Sequence, residues 1–128
     1  MMYKVTLDLR IYEWEILQIF RQSLEASKCW ACVPDIEDAV DRFRHGDFIE
    51  IPISEEPQCQ SYVNMHTFTD AILKHIQSND GSAYLEQVDK YLQINHNYVE
   101  EADADQILQL AALGRIVYNS GGGESEKE

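Results

Sequence analysis

From Ile107 to Tyr118 the chain reads ILQLAALGRIVY, and only Gln109 and Arg115 are clearly polar. Ile107, Leu110, Ala111, Gly114, Val117 and Tyr118 recur at the spacing that lines one side of a helix. Leu108, Leu113 and Ile116 form a second apolar face. A helix that is apolar nearly all round has to be covered on several sides, by its own domain or by another subunit. The pattern therefore predicts a helix over residues 105–118 with the other segments wrapped around it. Gly114 would cost roughly 1 kcal/mol against Ala inside that helix. Close approach of another backbone at Ala111 and Gly114 is the reason to expect it there.

The segments before it alternate between the two regular periods. Tyr3, Val5, Leu7 and Leu9 share one face of a half-buried strand. From about Ile11 to Ala26, Ile16, Ile19, Phe20 and Leu24 give an amphipathic helix with Trp14 and Leu17 beside them. A second helix is capped by Asp35, carries Ile36, Ala39, Val40 and Phe43 inward, and stops at Gly46. Ile49, Ile51 and Ile53 line one face of a strand that Pro52 confines to a sheet edge. A short strand over 61–65 is expected next. A helix then opens at Thr67, with Asp70 completing a near capping box, and runs to Ser78. Another helix is expected from Ser82 to about Ile94, with Tyr84, Leu85, Val88, Tyr91 and Leu92 inward. The class is α+β: a small sheet of two or three strands packed against about five helices. One domain, 1–118, precedes a flexible acidic tail, 119–128 (NSGGGESEKE).

Charge sets the class of partner. The 128 residues include 23 acidic and 10 basic ones, a formal net charge of −13. Direct nucleic-acid binding through phosphates needs a basic face, so the sequence argues against it. A basic protein surface would instead be attracted. No run approaches the roughly 18 to 20 apolar residues of a membrane span. Three cysteines are an odd number, which speaks against a disulfide framework, and a cytoplasmic location is the expectation.

The motifs for chemistry are sparse. Cys29-Trp30-Ala31-Cys32 is a C-x-x-C pair, but it follows a long helix instead of opening one, unlike a redox motif. Zinc would require two more ligands, which Cys59 with His66 or His45 would have to supply. Thiols buried like other small apolar groups are the expectation, and no cofactor or metal is assigned. His45, His66, His75 and His96 show no catalytic spacing and are expected at the surface or in caps. A contact between His66 and Asp70 is feasible. No phosphate-cradling glycine loop occurs.

What remains is acid in clusters: Asp35, Glu37, Asp38 and Asp41; Glu55 and Glu56; and Glu100, Glu101, Asp103 and Asp105. The expected function is a non-enzymatic binding protein that occupies a basic surface of another protein, with imitation of a run of phosphates for a DNA- or RNA-binding partner as one form of it. Immunity-type proteins and phage-encoded antagonists of host defence supply the analogy, on size and charge alone. Carboxylates would steer encounter, and Trp30, Tyr62 and Tyr98 would anchor as exposed aromatics. A homodimer through the 105–118 helix is a subsidiary expectation. Two other classes stay open: a zinc-bound regulator using Cys29, Cys32, Cys59 and His66, and an enzyme whose site is assembled from distant residues.

Overall fold

The structure, a computed structural model, describes residues 8–54, 60–78 and 83–118. It is mixed α+β and helix-dominated. Strand β1 (Asp8–Arg10) leads into α1 (Glu13–Ala26) and α2 (Ile36–Arg44). Then come the hairpin β2 (Ile49–Pro52) and β3 (Gln60–Val63), and α3 (Met65–Ser78). A second hairpin, β4 (Leu85–Val88) and β5 (Tyr91–Ile94), precedes a single 3₁₀ turn (His96–Tyr98) and α4 (Glu101–Leu113). The strands form two sheets, β1-β5-β4 and β2-β3, with β1 parallel to β5. The expected strand over 2–9 is described only in its last part, and the 119–128 tail lies outside the described residues.

The core is built where the sequence periods place it. Ile16, Ile19, Phe20 and Leu24 of α1 are buried, as are Ala39, Val40 and Phe43 of α2. Phe20 lies flat on Phe43 at 3.9 Å between ring centroids, and Phe68 of α3 meets both rings edge-on at 5.2 and 5.8 Å. These three rings tie α1, α2 and α3 together through aromatic contact as well as buried area. Ile49, Ile51 and Ile53 are buried on one face, as alternation requires. Asp35 caps α2 by accepting from the Asp38 N–H at 3.0 Å, and Gly46 follows with φ +92°.

Three expectations are corrected. Four α-helices are present among the described residues, not about five, because most of the stretch expected as a helix from Ser82 to Ile94 is the β4–β5 hairpin. Val88 pairs with Tyr91, so Asp89 and Lys90 alone make the reversal, and Asp89 takes φ +57°. Aspartate is one of the few non-glycine residues that enters the left-handed region at low cost. Tyr84, Leu85, Val88, Tyr91 and Leu92 had satisfied a helical spacing, but over so few residues periodicity does not separate the two forms. The second correction concerns α3. Its cap is Asn64, which accepts from the Thr67 N–H at 2.9 Å while the Thr67 hydroxyl accepts from the Asn64 N–H at 3.0 Å. The reciprocal pair sits one turn earlier than the Thr67–Asp70 pair expected from sequence.

The third is the last helix. It starts at Glu101 and ends at Leu113, and Gly114 is its left-handed C-cap with φ +80°. A Cβ on Gly114 would meet nothing within 4 Å, so close packing is not why glycine stands there. The positive φ is. Ala104, Ile107 and Leu108 are fully buried against α1 and α3, while Ile116 and Val117, expected on the helix, are exposed beyond its end. No helix among the described residues is long and apolar enough to cross a membrane.

Candidate functional site

Two kinds of polar arrangement stand out, one sealed and one open. The sealed one centres on Asp105, in the second turn of α4 and 0% exposed. Its Oδ1 accepts from the Ser27 hydroxyl and from the Trp30 indole N–H, both at 2.7 Å. Its Oδ2 accepts from the Gln109 amide at 2.9 Å. Three donors from two separate parts of the chain compensate the carboxylate for lost water. Gln109, also fully buried, turns its Oε1 to the backbone N–H groups of Val117 and Tyr118, both at 2.7 Å. The Tyr118 ring stacks on Trp30 at 5.5 Å between centroids.

This geometry reassigns several sequence-named residues. Trp30 is 1% exposed and is a buried donor, not a surface anchor. Asp105, grouped with the acids before the last helix, is core. Cys29 and Cys32, expected to be buried, are exposed free thiols on either side of Trp30. Trp30 and Ala31 take the buried positions of the turn between them, and the thiols face out. Cys59, Glu55 and Glu56 lie outside the described residues. The Cys32 N–H donates to the Pro52 carbonyl, and Pro52 pairs with Gln60. Val63, just before the α3 cap, pairs with Ile49 at the other end of that hairpin. His45 caps α2 with its Nδ1 2.8 Å from the Asp41 carbonyl. No metal-ligating group of three or more His, Cys, Asp or Glu occurs among the described residues.

The histidines divide. His66 is exposed and lies 3.5 Å from Asp70, the contact its spacing allowed. His75 departs from the expected surface position: it is fully buried, with Nδ1 2.7 Å from the Tyr84 hydroxyl and Nε2 2.9 Å from Gln106 Oε1. His96 donates its backbone N–H to the buried Glu15 at 2.8 Å and sets Nδ1 2.7 Å from the other carboxylate oxygen. Both histidines join elements far apart in sequence, and neither lines the main surface grooves.

The open arrangement is the exposed acid. Most α2 carboxylates are already engaged. Arg21 binds Glu37 at 2.8 Å, Arg44 binds Asp41 at 2.6 Å, and Arg42 lies 3.7 Å from both Asp38 and Asp47. Each exposed pair is worth at most about 1 kcal/mol, yet together the three arginines offset much of the charge of Glu37, Asp38 and Asp41. A different groove, about 220 Å³, runs between the end of α1 and the start of α4. Ala26, Val99 and Ala104 give it an apolar floor, with Glu25, Glu100 and Glu101 around it. No cation lies within ion-pairing distance of these three carboxylates among the described residues. Asp103 is turned aside, accepting from the Glu100 N–H at 3.3 Å and lying 3.8 Å from His75. Sequence reasoning singled out Glu100 and Glu101 but missed Glu25, which reaches them only through the packing of α1 on α4.

Several aromatic side chains are exposed. Trp14 is 57% exposed and meets His96 edge-on at 5.4 Å. Tyr62 and Tyr98 are exposed as expected. The Arg10 guanidinium lies 4.0 Å over the Tyr91 ring. A hydrogen bond with the Tyr12 side chain holds the Tyr91 phenol above its ordinary range, with desolvation acting in the same direction and Arg10 opposing. No protein-family model, no curated protein sequence and no solved structure matches this chain.

Proposed function

We propose that this chain acts by contact, as an acidic binding protein that occupies a basic surface of a partner protein and thereby inhibits it. The α1–α4 groove is where it would receive the partner. The observation that carries the reading is the contrast between the two acid groups. Carboxylates on α2 are matched by the chain's own arginines, whereas Glu25, Glu100 and Glu101 surround an apolar floor without a cation among the described residues. An arginine or lysine would lay its aliphatic stem on Ala26, Val99 and Ala104 and present its charge to the carboxylates. Partners that bind nucleic acid expose such side chains in rows, which keeps phosphate mimicry within this reading.

Titration calorimetry with a capped oligo-arginine peptide tests it, using two variants that lose the same charge. Changing Glu25, Glu100 and Glu101 together to Gln should weaken binding about tenfold at low salt. Changing Glu37→Gln, Asp38→Asn and Asp41→Asn together should weaken it less than about twofold, because those acids are already paired. Equal losses in the two variants would mean that only bulk charge acts, and the groove would lose its role.

A further inference from the structure

We infer that Cys29 and Cys32 form a modification site, a dithiol that exchanges with low-molecular-weight disulfides and closes into a disulfide across Trp30 and Ala31. The first observation is where the thiols stand. Unpaired cysteine is among the most buried of residue types. Here both are exposed and free, while the two residues between them are 1% and 2% exposed. The chain turns two apolar side chains inward and sets both thiols on its outer side. The contacts that pin the turn run through backbone and indole instead.

The second observation is how firmly that backbone is held. The Ser27 carbonyl accepts from the N–H groups of Trp30 at 3.0 Å and Ala31 at 2.8 Å, so residues 27–31 make a closed turn. On the far side the Trp30 carbonyl accepts from the Ser54 N–H at 2.8 Å, and the Cys32 N–H donates to the Pro52 carbonyl at 3.1 Å. Ala31 bridges Ile53 between them, and the indole is fastened to Asp105. A fully extended step of three residues spans roughly 10 Å. Here the step begins inside a turn, which draws Cys29 and Cys32 toward the Cα separation of about 4.4–6.8 Å that a disulfide accepts. Because this backbone is already ordered, closing the ring costs little further entropy.

The exchange balances. A thiolate of the pair attacks one sulfur of the small disulfide and expels its other half as a thiolate, leaving a mixed disulfide. The second cysteine then attacks the protein-side sulfur, and the remaining small thiolate leaves. Two cysteine thiols are oxidised, one small disulfide is reduced to two thiols, and the two protons pass through solvent to the leaving groups. The product locks the turn that carries Trp30 onto α4, so a change at the surface reaches the core. This inference does not rest on the acidic groove.

The test uses the full chain with Cys59→Ser, which leaves Cys29 and Cys32 as its only thiols. It is equilibrated with reduced and oxidised glutathione, quenched with acid and weighed by mass spectrometry. The product should be a monomer lighter by two hydrogens. Its glutathione adduct should be at least about tenfold scarcer than on a chain that also carries Cys32→Ser, where no second thiol displaces the adduct. The same equilibrium in urea separates a prepared site from mere closeness in sequence. Folded chain should favour closure about tenfold or more over unfolded chain, and by linkage the closed form should have the higher urea midpoint. Equal closure in the folded and unfolded chains would overturn the proposal. So would equal adduct on the two variants, or disulfide-linked dimers in place of the closed monomer.

Discussion

Glu101 and Asp105 stand one turn apart on α4, and they have opposite fates. Asp105 is sealed from water and accepts three hydrogen bonds. Glu101 lies at the edge of the α1–α4 groove with no cation to meet it among the described residues. A formal charge of −13 counts the two alike. The comparison teaches that acid in this molecule does two jobs under the proposed function: some of it fastens helices together, and some would receive an outside partner.

Substitutions should separate the two jobs as a graded series. The largest effect belongs to Asp105→Ala, which strips acceptors from Ser27, Trp30 and Gln109 at once. Urea denaturation should show a loss of about 3–5 kcal/mol, and a loss below about 1 kcal/mol would erase the contrast. Trp30→Phe keeps an aromatic face but deletes one donor, so about 1–2 kcal/mol should go. Asp35 lies between the extremes, an exposed acid with a single backbone bond. Asp35→Ala should cost about 1 kcal/mol, read as a lowered midpoint with an unchanged denaturant slope. Smallest is Glu101→Gln. Stability should stay within about 0.5 kcal/mol, while oligo-arginine binding weakens in calorimetry. A large stability loss there would make Glu101 structural and collapse the comparison from the other side.

Much of this fold was legible in the sequence, for identifiable reasons. The α1, α2 and α3 faces and the Ile49–Ile51–Ile53 strand follow from apolar period and from caps such as Asp35 and Gly46. The β4–β5 hairpin was not legible, because its reversal uses Asp89-Lys90 without glycine and its apolar residues also fit a helix. The candidate site divides similarly. Glu100 and Glu101 were visible as acids before an apolar helix, but Glu25 joins them only in three dimensions. Trp30 and Asp105 were misread because each looked like its residue class, an exposed anchor and a surface acid. Their bond spans 75 residues, a separation no local pattern reports. The one local hint was Gln109, four residues after Asp105 on the same helix face.

That separation bears on how the molecule is made. Glu15 waits for His96 across 81 residues, Ser27 for Asp105 across 78, and β1 for its parallel neighbour β5. As the polypeptide leaves the ribosome, its first third emerges with a carboxylate, an indole and a bare strand edge that nothing yet synthesised can satisfy. Contacts this distant close slowly. The last of these partners, Asp105, arrives with α4, so a chain halted before that helix would keep Ser27 and Trp30 without their acceptor and remain adhesive.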